Sequence, residues 1–400
     1  MALTVGIIGL PLSGKTTLFN ALTRAGAEIS GYPTSTVQAN RAVVQVPDER
    51  LARLAEIFHP RKIVPTSIEF VDVAGIGQGT EETRRQGLSA EFLGHIRNAD
   101  ALAIVVRCFE NAAAPHPTGS IDAARDLDEL LSELALTDLA TVERRIESTQ
   151  RKTKTGDKKA VEELEFLKRL REHLNEGRAA SELSFSQAED AVLRELFLLT
   201  MKPRLYVANV GEDTLAAAGE VLDLSPGPSP EEGGERRMAV PVAGAQSGQL
   251  ACVKAIGERA RTEGAEVVAA STKLEAELGE LGEEDAAEYL AALGLPTLGS
   301  DRVVQAGYRA LNLISFLTAG EDEVRAWTIT RGTKAPVAAG KIHTDIERGF
   351  IRAEVVHYDD LMRDGGSMKA AKEHGHVRLE GKEYVVRDGD IIEYRFNVSK

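Results

Sequence analysis

The hydrophobic pattern opens with an unbroken apolar, β-branched run at residues 3–9, followed by a glycine-rich turn and then helical spacing over Thr17–Arg24. Further apolar runs fall at Ala42–Val46, Ser67–Asp72, Ala101–Arg107 and Leu205–Asn209. Short continuous runs bounded by turn residues read as buried strands. Strands alternating with helical segments predict a parallel sheet with helices on both faces. Between the last two runs the spacing is helical from about Ile121 to Met201. Its middle is charged, with sparse apolar positions (Val142, Ile146, Val161, Leu164, Leu167, Leu170, Leu174) and one break at Gly156–Asp157. This predicts a slender antiparallel helical hairpin, although two surface helices lying on the sheet would give the same pattern. Residues 219–237, rich in Pro, Gly and Glu, read as a mobile loop. From about Asp301 short β-branched runs (Val324–Thr330, Phe350–Val356, Tyr384–Val386, Ile391–Phe396) separated by Gly and Asp turns predict a small α+β domain. Tyr308, Phe316 and Trp327 read as its core or linker.

Composition narrows the class. A chain of 400 residues with 43% apolar and 28% charged positions has material for two or three globular domains. No run of eighteen apolar residues occurs, so no membrane span is expected. The first residues, MALTVGIIGL, lack a basic leader and a small-residue cleavage site and read as a strand. Cys108 and Cys252 stand far apart without metal spacing. A disulfide or zinc site is therefore not expected, and a reducing cytoplasm is the simple reading. The net charge of -14 argues against a protein that coats nucleic acid with its whole surface, but leaves room for a local basic patch.

Candidate chemistry begins at Gly9–Thr16, GLPLSGKT, which fits G-x-x-x-x-G-K-[ST] between a predicted strand and helix. Backbone amides of Leu12, Ser13 and Gly14 can curl around phosphate, and the helix start at Thr17 adds its positive dipole end. Lys15 places a point charge on the terminal phosphates, and Thr16 offers a hydroxyl to Mg²⁺. Asp72-Val73-Ala74-Gly75 ends a predicted strand with D-x-x-G. Its aspartate is placed to hold Mg²⁺ through water, and the Gly75 amide to sense the γ-phosphate. Thr36, among several threonines of the segment 32–40, is the candidate switch threonine of the metal shell. Ile76 stands where many GTP hydrolases carry a water-orienting glutamine, so catalysis must recruit another group or stay slow. Asn209-Val210-Gly211-Glu212 occupies the place of N-K-x-D. Glu212 replaces the aspartate that accepts from guanine, and Val210 replaces the stacking lysine. A site no longer matched to guanine loses that discrimination, whereas Asn209 can still serve N7 and the 6-amino group of adenine. The reading is therefore ATP before GTP, with an ordinary GTPase as one alternative. A ribosome- or RNA-docking adaptor with vestigial hydrolysis is another.

With these residues in hand, the chain resembles the Obg-like ATPase family, called YchF in bacteria, over essentially its full length. The resemblance rests on the P-loop, Tyr32-Pro33 with Thr36, Pro65–Gly75, Asn209–Glu212, and Ser271–Leu278, which looks like that family's last base-side loop. It also rests on Glu323–Thr328, Ala338–Asp345, Gly381-Lys382 and Asp388–Asp390, which look like its TGS domain. It implies an α/β fold: a P-loop, Ras-like G domain (1–300) with a helical hairpin inserted at about 128–200, then a β-grasp-like TGS domain (301–400). It also implies Mg²⁺-dependent ATP hydrolysis and ribosome association. The family is thought to use a loop histidine in place of the glutamine. His116, in the stretch His116–Asp126, inherits that role. Two departures stand out. Leu12-Ser13 replaces the family's Asn-Val, leaving no side-chain oxygen at position 12 for a monovalent cation, so potassium activation is not expected. The segment 77–87 is acidic and arginine-bearing. The hairpin residues 141–175 carry ten Lys or Arg against seven acids, with Arg151–Lys159 at the predicted tip. Phosphate contacts to ribosomal RNA need such a patch, although a solvated helical face would read alike. An acidic monomer is the default state.

Overall fold

The computed structural model describes residues 3–24, 28–29, 40–73, 90–154, 157–223, 245–279, 281–295 and 297–397. Its strands, in chain order, are β1 (Thr4–Ile8), β2 (Glu28–Ile29), β3 (Asn40–Gln45), β4 (Ile63–Val64), β5 (Ser67–Asp72), β6 (Ala101–Arg107) and β7 (Arg204–Asn209). There follow β8 (Glu266–Ala270), β9 (Leu313–Ala319), β10 (Val324–Thr330), β11 (Phe350–His357), β12 (Arg378–Glu380) and β13 (Asp390–Phe396). They form a seven-stranded sheet, β2-β3-β5-β1-β6-β7-β8, and a six-stranded sheet, β12-β11-β13-β9-β10-β4.

In the first sheet β1 pairs in parallel with β5 and β6, β6 with β7, and β7 with β8. All residues of β1 and β6 are buried, which is why their sequences are continuous apolar runs and not alternating ones. From β1 the chain first builds one flank, β2, β3 and β5, and then crosses over β1 to build the other, β6, β7 and β8. The carboxyl end of β1 is thus a topological switch point, where open α/β sheets hold their ligands.

The predicted hairpin forms from the helices Ala123–Thr153 and Lys158–Asn175, the first about 46 Å long at 1.5 Å per residue. They share a core of Val142, Ile146, Phe166, Leu167, Leu170 and Leu174, so the apolar stripe is consumed by helix–helix packing. Asp157 caps the second helix through the Lys159 and Ala160 amides. At the base, buried Asp138 accepts from the amides of Leu199 and Thr200, at 2.8 Å each, and from the Thr200 hydroxyl at 2.7 Å.

The chain divides into two compact units, 3–42 with 69–306, and 43–68 with 307–400. Residues 43–68 thus belong with the C-terminal part, through β4 pairing in parallel with β10. In this second unit successive strand residues separate into two clusters. Val355 and Ile392 join Phe316 and the helix Ala335–Ile342, whereas Val356 and Ile391 join Leu51 and Leu54 of the helix Glu49–Phe58. Both faces of the sheet are therefore covered, in a β-grasp-like α+β arrangement. Phe316 is fully buried and stacks on Trp327. Buried Asp390 of the DGD turn accepts from the Tyr384 hydroxyl and the Arg387 amide.

Several expectations need correcting. Tyr384–Val386 is not a strand; it contributes one isolated bridge, Val385 to Lys334. The stretch from about Asp301 opens with the helix Gly299–Ala310, which precedes β9. Residues 219–223 of the expected loop finish the helix Glu212–Asp223, and 224–237 lie outside the described residues. Cys108 and Cys252 form a disulfide, with their Cα atoms 5.7 Å apart despite a separation of 144 residues. Sequence distance misled there, because one cysteine follows β6 and the other lies on the helix Ala245–Glu263, which packs beside that strand end. Among the described residues no helix is long and apolar enough to cross a membrane.

Candidate functional site

The candidate residues meet at the carboxyl ends of the parallel strands. Gly9 follows β1, Asp72 ends β5, Arg107 ends β6, Asn209 ends β7 and Ser271 follows β8. Register brings them abreast, with Ile7 opposite Asp72, Arg107 opposite Asn209 and Asn209 opposite Ala270.

The P-loop is tightly determined. Gly14 has φ +97°, and a Cβ there would lie 2.3 Å from Asn209 Nδ2, so only glycine fits. Leu12 also adopts a left-handed backbone, φ 61°, which an asparagine would tolerate better than leucine. The following helix, Lys15–Arg24, has no acid in its first turn to neutralise its dipole. Lys15 is buried and donates through Nζ to the carbonyls of Gly9 (3.0 Å) and Leu10 (2.8 Å), which holds the ammonium inside the loop. Burial lowers its pKa from 10.5 to about 8, against the pull of Asp72. Burial likewise raises Asp72, while the Thr16 hydroxyl and Lys15 act in the opposite direction. Asp72 Oδ1 and Ser13 Oγ are buried with no hydrogen-bond partner. A buried carboxylate oxygen and hydroxyl left open beside a cationic loop are groups that a bound ligand or ion would satisfy.

Asn209 has a structural task. Its Nδ2 donates to the Ser13 carbonyl (2.8 Å) and Thr272 Oγ1 (3.0 Å), and its Oδ1 accepts from the Thr272 amide (3.1 Å). Both amide hydrogens are engaged, so Asn209 braces the P-loop against the last base-side loop. Ser271 is buried as the N-cap of the helix Thr272–Leu278. Val210 is buried too, and the Gly211 amide donates to Gln249. Glu212 opens its helix and accepts from the Tyr289 hydroxyl at 2.5 Å. That contact raises the tyrosine pKa.

His116 lies in the loop after β6. Its side chain is 5% exposed, with Nε2 2.9 Å from Asp126 Oδ2 and Nδ1 2.9 Å from Thr118 Oγ1. The Thr118 amide donates to Nδ1, which assigns the proton to Nε2 and leaves Nδ1 as the acceptor nitrogen. Arg107 holds this loop through the carbonyls of Phe109 and Ala114. His116, Asp126 and Arg107 line a small pocket together with Leu10, Pro11 and Ser13, so the histidine borders the P-loop.

The structure therefore brings together Ser13, Gly14, Lys15, Thr16, Asp72, Asn209 and Ser271, with His116 beside them. Thr17 lies in the first turn of the P-loop helix. Thr36 and Gly75, like Ile76, lie outside the described residues. Sequence reasoning missed Arg107, Thr272, Gln249 and Tyr289. It quoted Asp126 without giving it a task. Only Thr272, inside the quoted segment 271–278, carried a local signal.

Comparisons place these features among known proteins. Residues 4–155 match the family described as 50S ribosome-binding GTPase. Residues 313–397 match the YchF GTPase C-terminal family, described as a protein of unknown function. The chain is 46% identical over 398 residues to the ribosome-binding ATPase YchF of Bacillus subtilis (strain 168), with 100% of each chain covered. It is 42% identical over 398 residues to the protein of the same name in Escherichia coli O157:H7, again with 100% of each covered. The solved structure of the Schizosaccharomyces pombe YchF GTPase superposes with a TM-score of 0.76 at 32% identity, covering 98% of both chains.

Proposed function

The chain belongs to the YchF family, and from its site we propose that it is a Mg²⁺-dependent ATPase that prefers ATP to GTP and acts as a switch on the ribosome. The observation that carries this reading is the buried Lys15 ammonium in a glycine-shaped loop, facing Asp72 and braced by Asn209. The amides of Leu12 to Thr17 bind the phosphate tail, and Lys15 takes the charge of its terminal groups. The Thr16 hydroxyl and the open Asp72 oxygen are hard donors that fit Mg²⁺. Mg²⁺ supplies charge neutralisation on the phosphate oxygens when bound. Thr36 would complete its shell, and Gly75 would report the γ-phosphate. His116 would orient the attacking water through a ring nitrogen released from Thr118.

Base preference rests on three residues. Val210, buried, offers no aliphatic stem over the base as lysine would. Glu212 is hydrogen-bonded to Tyr289. Asn209 spends both amide hydrogens on Ser13 and Thr272, so it donates to neither base. The carboxylate that would accept from guanine is turned to Tyr289, a loss that adenine, with no N1–H or 2-amino donor, does not feel. Competition against a fluorescent ATP analogue tests this: ATP should displace it at a concentration at least about tenfold below GTP, a difference of about 1.4 kcal/mol. A tenfold preference for GTP would reverse the assignment.

Ribosome docking through RNA is supported by the hairpin tip, where Arg151, Lys154, Lys158 and Lys159 are exposed. Arg145 and Arg169 are less available, being paired with Glu163, Glu195 and Glu189. The large ribosomal subunit is the proposed partner, and the cytoplasm, where that subunit works, the proposed location; the Cys108–Cys252 disulfide removes the reducing-compartment argument for it.

Lys15 also makes nucleotide binding pH-dependent. Phosphate favours the charged ammonium, and the free protein holds that ammonium only below about pH 8. Above this the site must take up a proton on binding. The dissociation constant should therefore rise by up to about tenfold per pH unit between about pH 8 and pH 9.5, and stay flat between about pH 6.5 and pH 7.5. Fluorescence titrations across that range check it.

A further inference from the structure

We propose that Asp364, His374 and His376, in the second unit, form a binding site for a divalent transition-metal ion of the zinc type. One ligand atom from each side chain lies within 4.8 Å of the other two. His374 Nδ1 is 2.7 Å from Asp364 Oδ1, and His376 Nδ1 is 2.7 Å from Oδ2. Two ring nitrogens thus converge on the two oxygens of one carboxylate.

Local structure fixes this convergence. Asp364 is the C-cap of the helix Tyr358–Arg363, and His374 is the C-cap of the helix Met368–Glu373. Gly375, at φ +76°, reverses the chain after the second helix, and the His376 amide returns to the Ala371 carbonyl. The reversal puts residues 374 and 376 on the same carboxylate. In an extended strand they would also share a side, but without the helix end to bring them to Asp364. The Asp364 side chain is 4% exposed, whereas those of His374 and His376 are 61% and 34% exposed. The anchor is held inside, and the open side faces solvent, as an entry path requires. Neighbouring charges are already matched: Glu373 pairs with Lys369, Asp360 with Arg363, and Glu354 with Lys372.

The donor set decides the ion. Two imidazoles and one carboxylate suit Zn²⁺, Co²⁺, Ni²⁺ or Cu²⁺, whereas Mg²⁺ and Ca²⁺ take oxygen shells. Zn–N and Zn–O bonds of about 2.0–2.1 Å in a tetrahedron put ligand atoms about 3.3 Å apart, so the 2.7 Å nitrogen–oxygen contacts must open by about half an ångström to admit the ion, within reach of the exposed histidine side chains. Without metal, each Nδ1 carries the proton that it donates to Asp364. On binding, that proton leaves Nδ1 and each imidazole becomes the Nε2–H tautomer, with the ion taking the position between the rings and the carboxylate. Water completes the shell.

The test uses the full chain in excess Mg²⁺. Co²⁺ should give the visible absorption of a four-coordinate site, saturating at one ion per chain and displaced by Zn²⁺. His374→Gln and His376→Gln should each weaken Co²⁺ binding by at least about tenfold, since losing an outer-shell partner alone lowers affinity by about 10–100-fold. Far-UV circular dichroism of both variants should match the parent. His374 is largely exposed, so its variant keeps the test valid if Asp364 substitutions unfold the unit. Absence of Co²⁺ absorption, or binding unchanged in either histidine variant, overturns the site and leaves the three residues as a local ion-pair brace.

Discussion

Lys15→Met should weaken ATP binding at least about a hundredfold while leaving the fold intact. The parent ammonium already points into the loop, tethered to the Gly9 and Leu10 carbonyls, so it needs no rearrangement to meet phosphate. A charge-assisted hydrogen bond contributes about 1.5–3 kcal/mol, and the buried setting, with little water to screen it, puts Lys15 at the upper end. About 3 kcal/mol corresponds to roughly a 150-fold change in the dissociation constant. Methionine retains the apolar stem and relieves the cost of a buried cation, which is why the thermal transition should move little. Titration with a fluorescent ATP analogue, paired with circular dichroism, measures both. An affinity within about threefold of the parent would remove Lys15 from phosphate binding.

His116→Ala should slow hydrolysis by about a hundredfold with ATP affinity changed by less than about threefold. Positioned proton acceptors contribute about 10²–10⁴ in rate, and a histidine that orients water without a full proton transfer belongs at the lower end. The side chain borders the P-loop pocket and is hydrogen-bonded to Asp126 and Thr118, not to the P-loop amides, so its removal should spare binding. Single-turnover hydrolysis with saturating enzyme separates chemistry from affinity. Normal turnover in the variant would exclude His116 from the mechanism.

The P-loop was legible because every part of it is local. One apolar strand, two glycines that cannot carry a Cβ, one lysine and one helix start lie within a short stretch of chain. Asp72 was legible for the same reason, at the end of its own strand. The helical hairpin could be read because its apolar stripe and its break lie in continuous sequence. What depends on distant partners could not be read. Asn209 looked free to meet a base, and only its placement beside Ser13 and Thr272 gives it the bracing task. The disulfide depends on the helix Ala245–Glu263 packing at the end of β6. Residues 43–68 join the C-terminal unit through a two-residue strand, too short for any periodicity to register. The Asp364, His374 and His376 cluster was equally hidden, since two separate helix ends set its geometry.

Calorimetric titration of the full chain with ATP in Mg²⁺ tests the central claim most directly, because every proposed role depends on a triphosphate held by the loop Gly9–Thr16. The expected result is a single site per chain, with binding abolished or severely weakened in Lys15→Met. A chain that retains neither ATP nor GTP under these conditions would contradict the account.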